Sequence, residues 1–568
     1  MGEYMKMGFY IKKYFKYISI IVFLSFVKAA LSFINPMLIK KILDLVTFST
    51  KPLINDRIFT YFFLFFAALL GSYITDFTLS KIKLAFSFIF KTCEQKDLYE
   101  KLMKIKYESF CANGAAYYVY RISQLINDLF MLLSSYLSSF LVALFIIVVS
   151  LFFLFKGSPV LFIVGMILLP ANYFGYKRIN RKLLEKSKKL QEVSAINSNE
   201  MINFISNFET IKQYLNFANF LGFLTGNFKN IEVAHNDINL YAQKTSLLLG
   251  FVIDFLKNFA LIFLIYLFFS HSITFSELIF LNMIFAVYMS GLAELNRINV
   301  NIRDLKVGIN FVYEEIINKE EKNSGDLKLP KVQRIDISVK TFHYKNKTVL
   351  ENINLSFETG KKYGIAGNSG CGKSTLVKLL VNLYESDGIY VNNENINRYP
   401  LEKLRDKIFI LPHTPQVFPL SIKDNILIGA KENEKKKYEE VVRMAFLKDI
   451  AVRHDFEKSV ISSEISLSSG EKQAICAARI FIKNPDVVIF DEATSAMDSK
   501  LEDLFVKELG EKFVSKDKII IFISHRLSTI KKCDKIILMG NKTVDALFNS
   551  YEEAALNPRF IKLYESQM

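Results

Sequence analysis

The chain has 568 residues, of which 51% are apolar and 53 are Phe, yet 23% are charged and the net charge is +16. That is too hydrophobic for an ordinary soluble protein and too charged for a wholly membrane-embedded one, so a membrane half joined to a soluble half is expected. No nucleic-acid motif or concentrated basic arm accompanies the positive charge, which argues against a nucleic-acid partner and fits basic cytoplasmic flanks of membrane spans.

A basic segment with Lys6, Lys12, Lys13 and Lys16 opens the chain. No small-residue cleavage site follows, so it reads as a cytoplasmic flank rather than a signal peptide. Six apolar runs of spanning length follow, at 17–38, 58–80, 129–155, 159–176, 245–270 and 277–295. The connections 51–57, 156–158 and 271–276 are short, whereas 81–128 and 177–244 are long, Lys-rich and helical in pattern. Short outside and long, basic inside predicts six spans with both termini in the cytoplasm. Lys28, Asp76, Asp254, Lys257, Glu294 and Arg297 fall within or at the ends of these runs, where charges are costly and face a bundle interior or water. Asp254 with Lys257, and Glu294 with Arg297, are three apart and either neutralise each other or meet a substrate. Lys28 has no such neighbour, which marks it as a cavity candidate.

Near residue 320 the composition changes to that of a soluble α/β domain. The five cysteines, Cys93, Cys111, Cys371, Cys476 and Cys533, lack C-x-x-C spacing and imply neither disulfides nor zinc. At 367–375 stands "GNSGCGKST", fitting G-x-x-x-x-G-K-[ST] after an apolar run and before a helical pattern. Strand, Gly-rich turn and helix is the context of a phosphate loop. Gly367, Asn368, Ser369, Gly370, Cys371 and Gly372 would bring backbone N–H groups onto phosphates at a helix N-terminus. Lys373 would contact the β- and γ-phosphates, Ser374 would hold Mg²⁺, and Thr375 opens the helix.

Further motifs follow in order: "LSSGEKQ" at 467–473, "VVIFDEA" at 487–493, "SAMD" at 495–498 and "ISHR" at 523–526. Together they resemble the ATPase domain of ABC transporters, and with the six-span half the whole chain resembles a type I exporter half-transporter. The expected fold is an all-α six-helix transmembrane domain over 1–320, followed by an α/β P-loop ATPase domain over 331–568. The resemblance implies that Asp491 holds Mg²⁺, that Glu492 polarises the attacking water and that His525 orients it. It implies that Ser468, Ser469 and Gly470 meet the ATP of a partner subunit, so that two identical or related halves dimerise. Tyr344 matches the aromatic that stacks on adenine.

Segments such as "NFETIKQYLN" (207–216), "GCGKST", "LSSGEKQ" and "LEKLRDKIFILPHTPQVF" are similar to the mitochondrial Atm-type half-transporters and their bacterial relatives. "SFCANGAAYYVYR" (109–121) sits where exporters place a first cytoplasmic coupling helix. Departures are visible. His413 replaces the family's loop Gln, with Gln416 three residues on; an imidazole serves as acceptor there only while neutral. Ser469 replaces a Gly, and "SSEIS" (462–466) replaces an upstream "GERG". Glu185 and Ser187 stand where the Atm type carries arginines that hold glutathione, with Arg178 and Arg181 earlier on that helix.

The expected function is thus ATP-driven export by a dimer in a lipid bilayer, either a bacterial plasma membrane or an organelle inner membrane. The substrate would be a glutathione- or sulfur-containing compound, with drug, lipid or peptide export and an ATP-gated channel or regulator as alternatives. A soluble ABC protein acting on ribosomes or DNA is contradicted by the spans.

Overall fold

The computed structural model describes residues 7–48, 56–214, 217–321, 325–344, 347–458, 460, 467–493, 497–513 and 517–565. The stretches 462–466 and 495–496 and the side chains of Arg178 and Arg297 lie outside the described set. The chain divides into two compact units, Met1–Glu320 and Glu321–Met568.

The first unit is helical: α1 Met7–Lys13, α2 Phe15–Phe48, α3 Asp56–Leu102, α4 Tyr107–Asn113, α5 Ala115–Met131, α6 Leu137–Gly157, α7 Pro159–Ser206, α8 Phe208–Tyr214, α9 Phe217–Phe269 and α10 Phe275–Phe311. The 47-residue α3 is about 70 Å long at 1.5 Å per residue, over twice the ~30 Å hydrocarbon core, so only part of it is needed to span. Its apolar part carries Phe59, Phe63 and Phe66 with their side chains exposed, the surface lipid favours. α10 is started by Thr274, whose side chain accepts from the Glu277 N–H while Glu277 returns the bond. It packs against α2, α5, α6, α7 and α9 with Ile284, Phe285 and Tyr288 buried. The Tyr288 hydroxyl donates to the Gly165 carbonyl on α7 at 2.5 Å. A Cβ at Gly165 would meet the tip of the Leu151 side chain at 2.9 Å, so a larger residue there would need that side chain to shift.

Among the described residues five helical stretches are long and apolar enough to cross a membrane, and the shorter apolar stretch Pro159–Gly175 begins α7. The fourth expected span, 159–176, falls on that helix, with the side chain of residue 176 outside the described set. Lys28, which has no neighbour of opposite charge on its own helix, has a distant one: its Nζ lies 2.7 Å from Asp76 Oδ1. The two are 48 residues apart and meet because α2 and α3 are packed neighbours, which no search along one helix finds. Lys257 and Asp254 stand 3.9 Å apart on α9. The short α4 ends at Gly114, whose φ of 83° breaks the helix before α5. Its start is tied back by the Lys106 N–H to the Lys319 carbonyl at 2.8 Å.

Among the described residues the second unit holds ten strands: β1 Arg334–Tyr344, β2 Lys347–Glu358, β3 Lys361–Gly367, β4 Ile389–Val391, β5 Glu394–Asn395, β6 Ile408–Leu411, β7 Val487–Asp491, β8 Ile519–Ile523, β9 Lys535–Met539 and β10 Val544–Phe548. An antiparallel sheet runs β2-β1-β4-β5, and a larger one β10-β9-β3-β8-β7-β6. In the larger sheet every pair is parallel except β10 with β9. Continuous apolar runs such as Val487–Phe490 and Ile519–Ile521 are buried on both faces, as strands covered by helices require. A second core, with Ile422, Phe446, Leu447 and Ile480, belongs to the helices that follow β6 and to the helix Ser469–Lys483.

Candidate functional site

β6, β7, β8 and β3 are parallel neighbours, so their carboxyl ends share one edge, where open parallel sheets bind ligands. His413 follows β6 by two residues, Asp491 ends β7 with Glu492 next, His525 follows β8 by two, and Gly367 ends β3. Four separate segments thus deliver their chemical groups to one line.

The phosphate loop is shaped by backbone conformations that side chains disfavour. Gly370 and Gly372 have φ of 81° and 108°. A Cβ at Gly372 would lie 2.5 Å from Leu350, and one at Gly367 the same distance from the Met539 carbonyl oxygen. Lys373 is 6% exposed, and its Nζ donates to the carbonyls of Gly367 at 2.7 Å and Asn368 at 2.9 Å. Its charge therefore sits inside the loop's curve. Cys371 is buried beside it, whereas Asn368, Ser369, Gly370 and Ser374 are exposed. The helix α11, Lys373–Leu380, starts with Lys373, so its first N–H groups face the loop. Tyr344 is brought to the same place: its hydroxyl lies 3.2 Å from Thr375 Oγ1, and its ring meets Tyr384 edge-on at 5.0 Å.

At β7, burial and the Glu492 carboxylate push the Asp491 carboxyl above its usual range, with His413 and Lys373 pulling the other way. Glu492 adopts φ of 52°, a left-handed conformation uncommon outside Gly, with its N–H held by the Ile523 carbonyl at 2.9 Å. Its carboxylate lies 2.8 Å from His525 Nε2. His413 Nδ1 lies 3.5 Å from the Glu492 carbonyl oxygen. Glu492, Ala493, Ser524, His525, Arg526 and Thr529 line a shallow cleft at this edge. The Gln416 backbone carbonyl accepts from Arg479 Nη2 at 2.9 Å.

Ser468 caps the helix Ser469–Lys483, accepting from the Glu471 N–H at 3.2 Å, while Glu471 accepts from the Ser468 N–H at 2.8 Å. Burial raises the Glu471 carboxyl, but those bonds and the charges of Arg453 at 3.0 Å and His454 outweigh it and hold it below its usual range. Ser468 and Ser469 are exposed, and among the described residues no hydrogen bond joins 468–470 to the phosphate loop.

The same helix carries residues the sequence reading passed over. Fully buried Gln473 donates to the Pro412 carbonyl at 3.0 Å, next to His413. Arg479 donates to the carbonyls of Asn425 at 2.8 Å and Gln416, and Cys476 Sγ reaches that Gln416 oxygen at 3.4 Å. The signal was a Gln and an Arg six apart on the buried face of an otherwise apolar helix.

A phosphate loop, a carboxylate pair and a histidine on one sheet edge, in a chain whose first unit is apolar and helical, define the nucleotide-binding cassette and membrane region of an ABC transporter. The ABC transporter transmembrane region family matches residues 18–292 and the ABC transporter family residues 350–495. The chain belongs to the ABC transporters and is a multi-pass membrane protein.

More particularly, it is similar to the mitochondrial iron-sulfur clusters transporter ATM1 of Chaetomium globosum, 30% identical over 272 residues, 47% of this chain and 45% of that protein. It is similar to the mitochondrial iron-sulfur clusters transporter ABCB7 of Oryzias latipes, 36% identical over 208 residues, 36% of this chain and 28% of that protein. A putative multidrug export ATP-binding/permease protein of Staphylococcus aureus is 33% identical over 240 residues, 41% of each chain. These matches span less than half the length of those relatives. A solved bacterial Atm1-family ABC exporter with ATP bound shares the fold, with a TM-score of 0.86 at 18% identity, covering 97% of this chain and 99% of that one. The fold is thus an N-terminal helical transmembrane domain followed by an ABC ATPase domain, of the Atm-type half-transporter kind.

Proposed function

We propose that the chain is one half of an ATP-driven exporter that works as a dimer and couples ATP hydrolysis to alternating access. The observation that carries this reading is the convergence of Gly367–Thr375, Asp491, Glu492 and His525 on one sheet edge within a membrane-spanning chain. Lys373 binds the β- and γ-phosphates, Tyr344 supports the adenine, and Glu492, oriented by His525, takes the proton of the attacking water. Ser374 and Asp491 fit a divalent cation: the serine is exposed, and the half-buried carboxyl of Asp491, held above its usual range, lacks full compensation for a negative charge. Mg²⁺ there would neutralise phosphate charge.

A sulfur- or glutathione-containing solute is the substrate class we propose, after the iron–sulfur naming of the ATM1 and ABCB7 relatives; the multidrug naming of the bacterial relative carries the second reading. ATPase activity of the reconstituted protein, measured with thiol tripeptide conjugates against hydrophobic drugs, separates them. Stimulation by drugs alone would overturn the first reading.

The composite site makes its own prediction. Cysteines at Ser468 of one chain and Ser369 of another should crosslink only with ATP under non-hydrolysing conditions. Crosslinking indifferent to nucleotide would refute a shared site. His413 makes another. Its Nδ1 lies 3.5 Å from the Glu492 carbonyl oxygen, and His413→Gln puts a neutral amide in its place, so the rate of ATP hydrolysis should change measurably. An unchanged rate would take His413 out of the chemistry and favour a heterodimer in which this half hydrolyses poorly.

A further inference from the structure

A polar track runs along the spanning parts of α2 and α3. On α2, Ser25, Lys28, Ser32 and Asn35 recur at steps of three, four and three, which is one helix face. On α3, Ser72, Asp76 and Ser80 recur every four residues, with exposed Tyr73 beside them. The Lys28–Asp76 pair at 2.7 Å joins the two rows, yet both side chains stay accessible, 49% and 43% exposed. Higher on α2, Asn35 Oδ1 is buried with no hydrogen-bond partner among the described residues. Pro36 has no N–H to offer, so the Ser32 carbonyl loses its helical donor. From Ser25 to Asn35 the track covers about 15 Å.

Half-exposed charges at this depth do not face hydrocarbon; they face water or a polar partner. Exposed Ile74 and Phe77 flank Asp76 much as exposed Phe59, Phe63 and Phe66 stand further along α3, so the charge of the pair, not its exposure, sets the place apart. We propose that the Lys28–Asp76 pair and its track line the transport passage and bind a solute carrying both a carboxylate and an ammonium group; this rests on the exporter reading. The chemistry selects that class. A solute carboxylate replaces Asp76 on Lys28, and its ammonium replaces Lys28 on Asp76, so no charge is left alone. A singly charged solute would part the pair and leave one member without an opposite charge, forfeiting their attraction. The Ser32 carbonyl and the oxygens of the Ser25 and Ser32 hydroxyls, which donate within α2 to Ile21 and Ala29, remain as acceptors for the solute's other polar groups.

The test uses the full chain in membrane vesicles, with the exposed Cys93 and Cys111 replaced by Ser. Single cysteines are placed at Ser32, at Ser72 and, as a lipid-facing control, at Phe66. Water-soluble methanethiosulfonates of opposite charge are the probes. Ser32→Cys and Ser72→Cys should label at least about tenfold faster than Phe66→Cys. The anionic reagent should be favoured severalfold at Ser32→Cys, near the ammonium, and the cationic one at Ser72→Cys. Lys28→Asp combined with Asp76→Lys keeps a pair, and so the packing, and should reverse both preferences. A free tripeptide at millimolar concentration should slow labelling, while its N-acetylated, amidated form does not. Labelling no faster than the control would overturn the water-lined passage. Loss of charge preference, or equal behaviour of the two peptides, would overturn the ligand class. ATP hydrolysis by the same vesicles reports separately on the exporter reading, so failure of one is distinguishable from failure of the other.

Discussion

Glu492→Gln should keep ATP and lose turnover by roughly 10²- to 10⁴-fold, the range a positioned general base supplies. The amide has the shape of the carboxylate and keeps the backbone bond to Ile523, so the left-handed turn at Glu492 survives. What it loses is the negative oxygen 2.8 Å from His525, and with it the ability to draw a proton from water. The variant should accumulate as an ATP-bound dimer, visible as a nucleotide-dependent shift in size. Measurement of ATP retained per chain and of phosphate released checks both halves of the claim. A variant that still hydrolyses within about threefold of the parent would remove Glu492 from the role of base.

Lys373→Ala should act one step earlier and abolish tight ATP binding. Charge-assisted hydrogen bonds contribute about 1.5–3 kcal/mol, which corresponds to roughly 10- to 150-fold in affinity. The buried Lys373 also closes the loop on itself through the Gly367 and Asn368 carbonyls, so its removal loosens the cradle as well as discharging it. Nucleotide titration should therefore separate the two variants in kind: one binds without turning over, the other scarcely binds. Equal affinities would undo the assignment of both residues.

The contrast between what was legible in the sequence and what was not follows the range of the interactions. The conformation of 367–375 is written in adjacent residues, because glycines at Gly370 and Gly372 are where the chain must turn left-handed. The apolar strands "VVIF" and "IIIFI" announce themselves by continuous burial. The Lys28–Asp76 pair joins residues 48 apart and the Gln473–Pro412 bond joins residues 61 apart, so neither has a local pattern. The end of the fourth expected span is legible in the sequence but not in the backbone: helicity runs on unbroken from Pro159 to Ser206, and only the basic residues from Lys177 onward mark where the apolar run stops.

The grip of the helix Ser469–Lys483 on the loop after β6 has a consequence for how this sequence is free to change. Gln473 holds the oxygen of residue 412, and Arg479 and Cys476 hold that of residue 416. Every one of these anchors is a main-chain carbonyl, which any amino acid provides. The path of the loop is therefore independent of the side chain at 413, and a lineage can exchange one polar group for another there without refolding its surroundings. The clamp makes that position an evolutionary variable: chemistry at the nucleotide edge can be retuned by one codon while the architecture that presents it stands still.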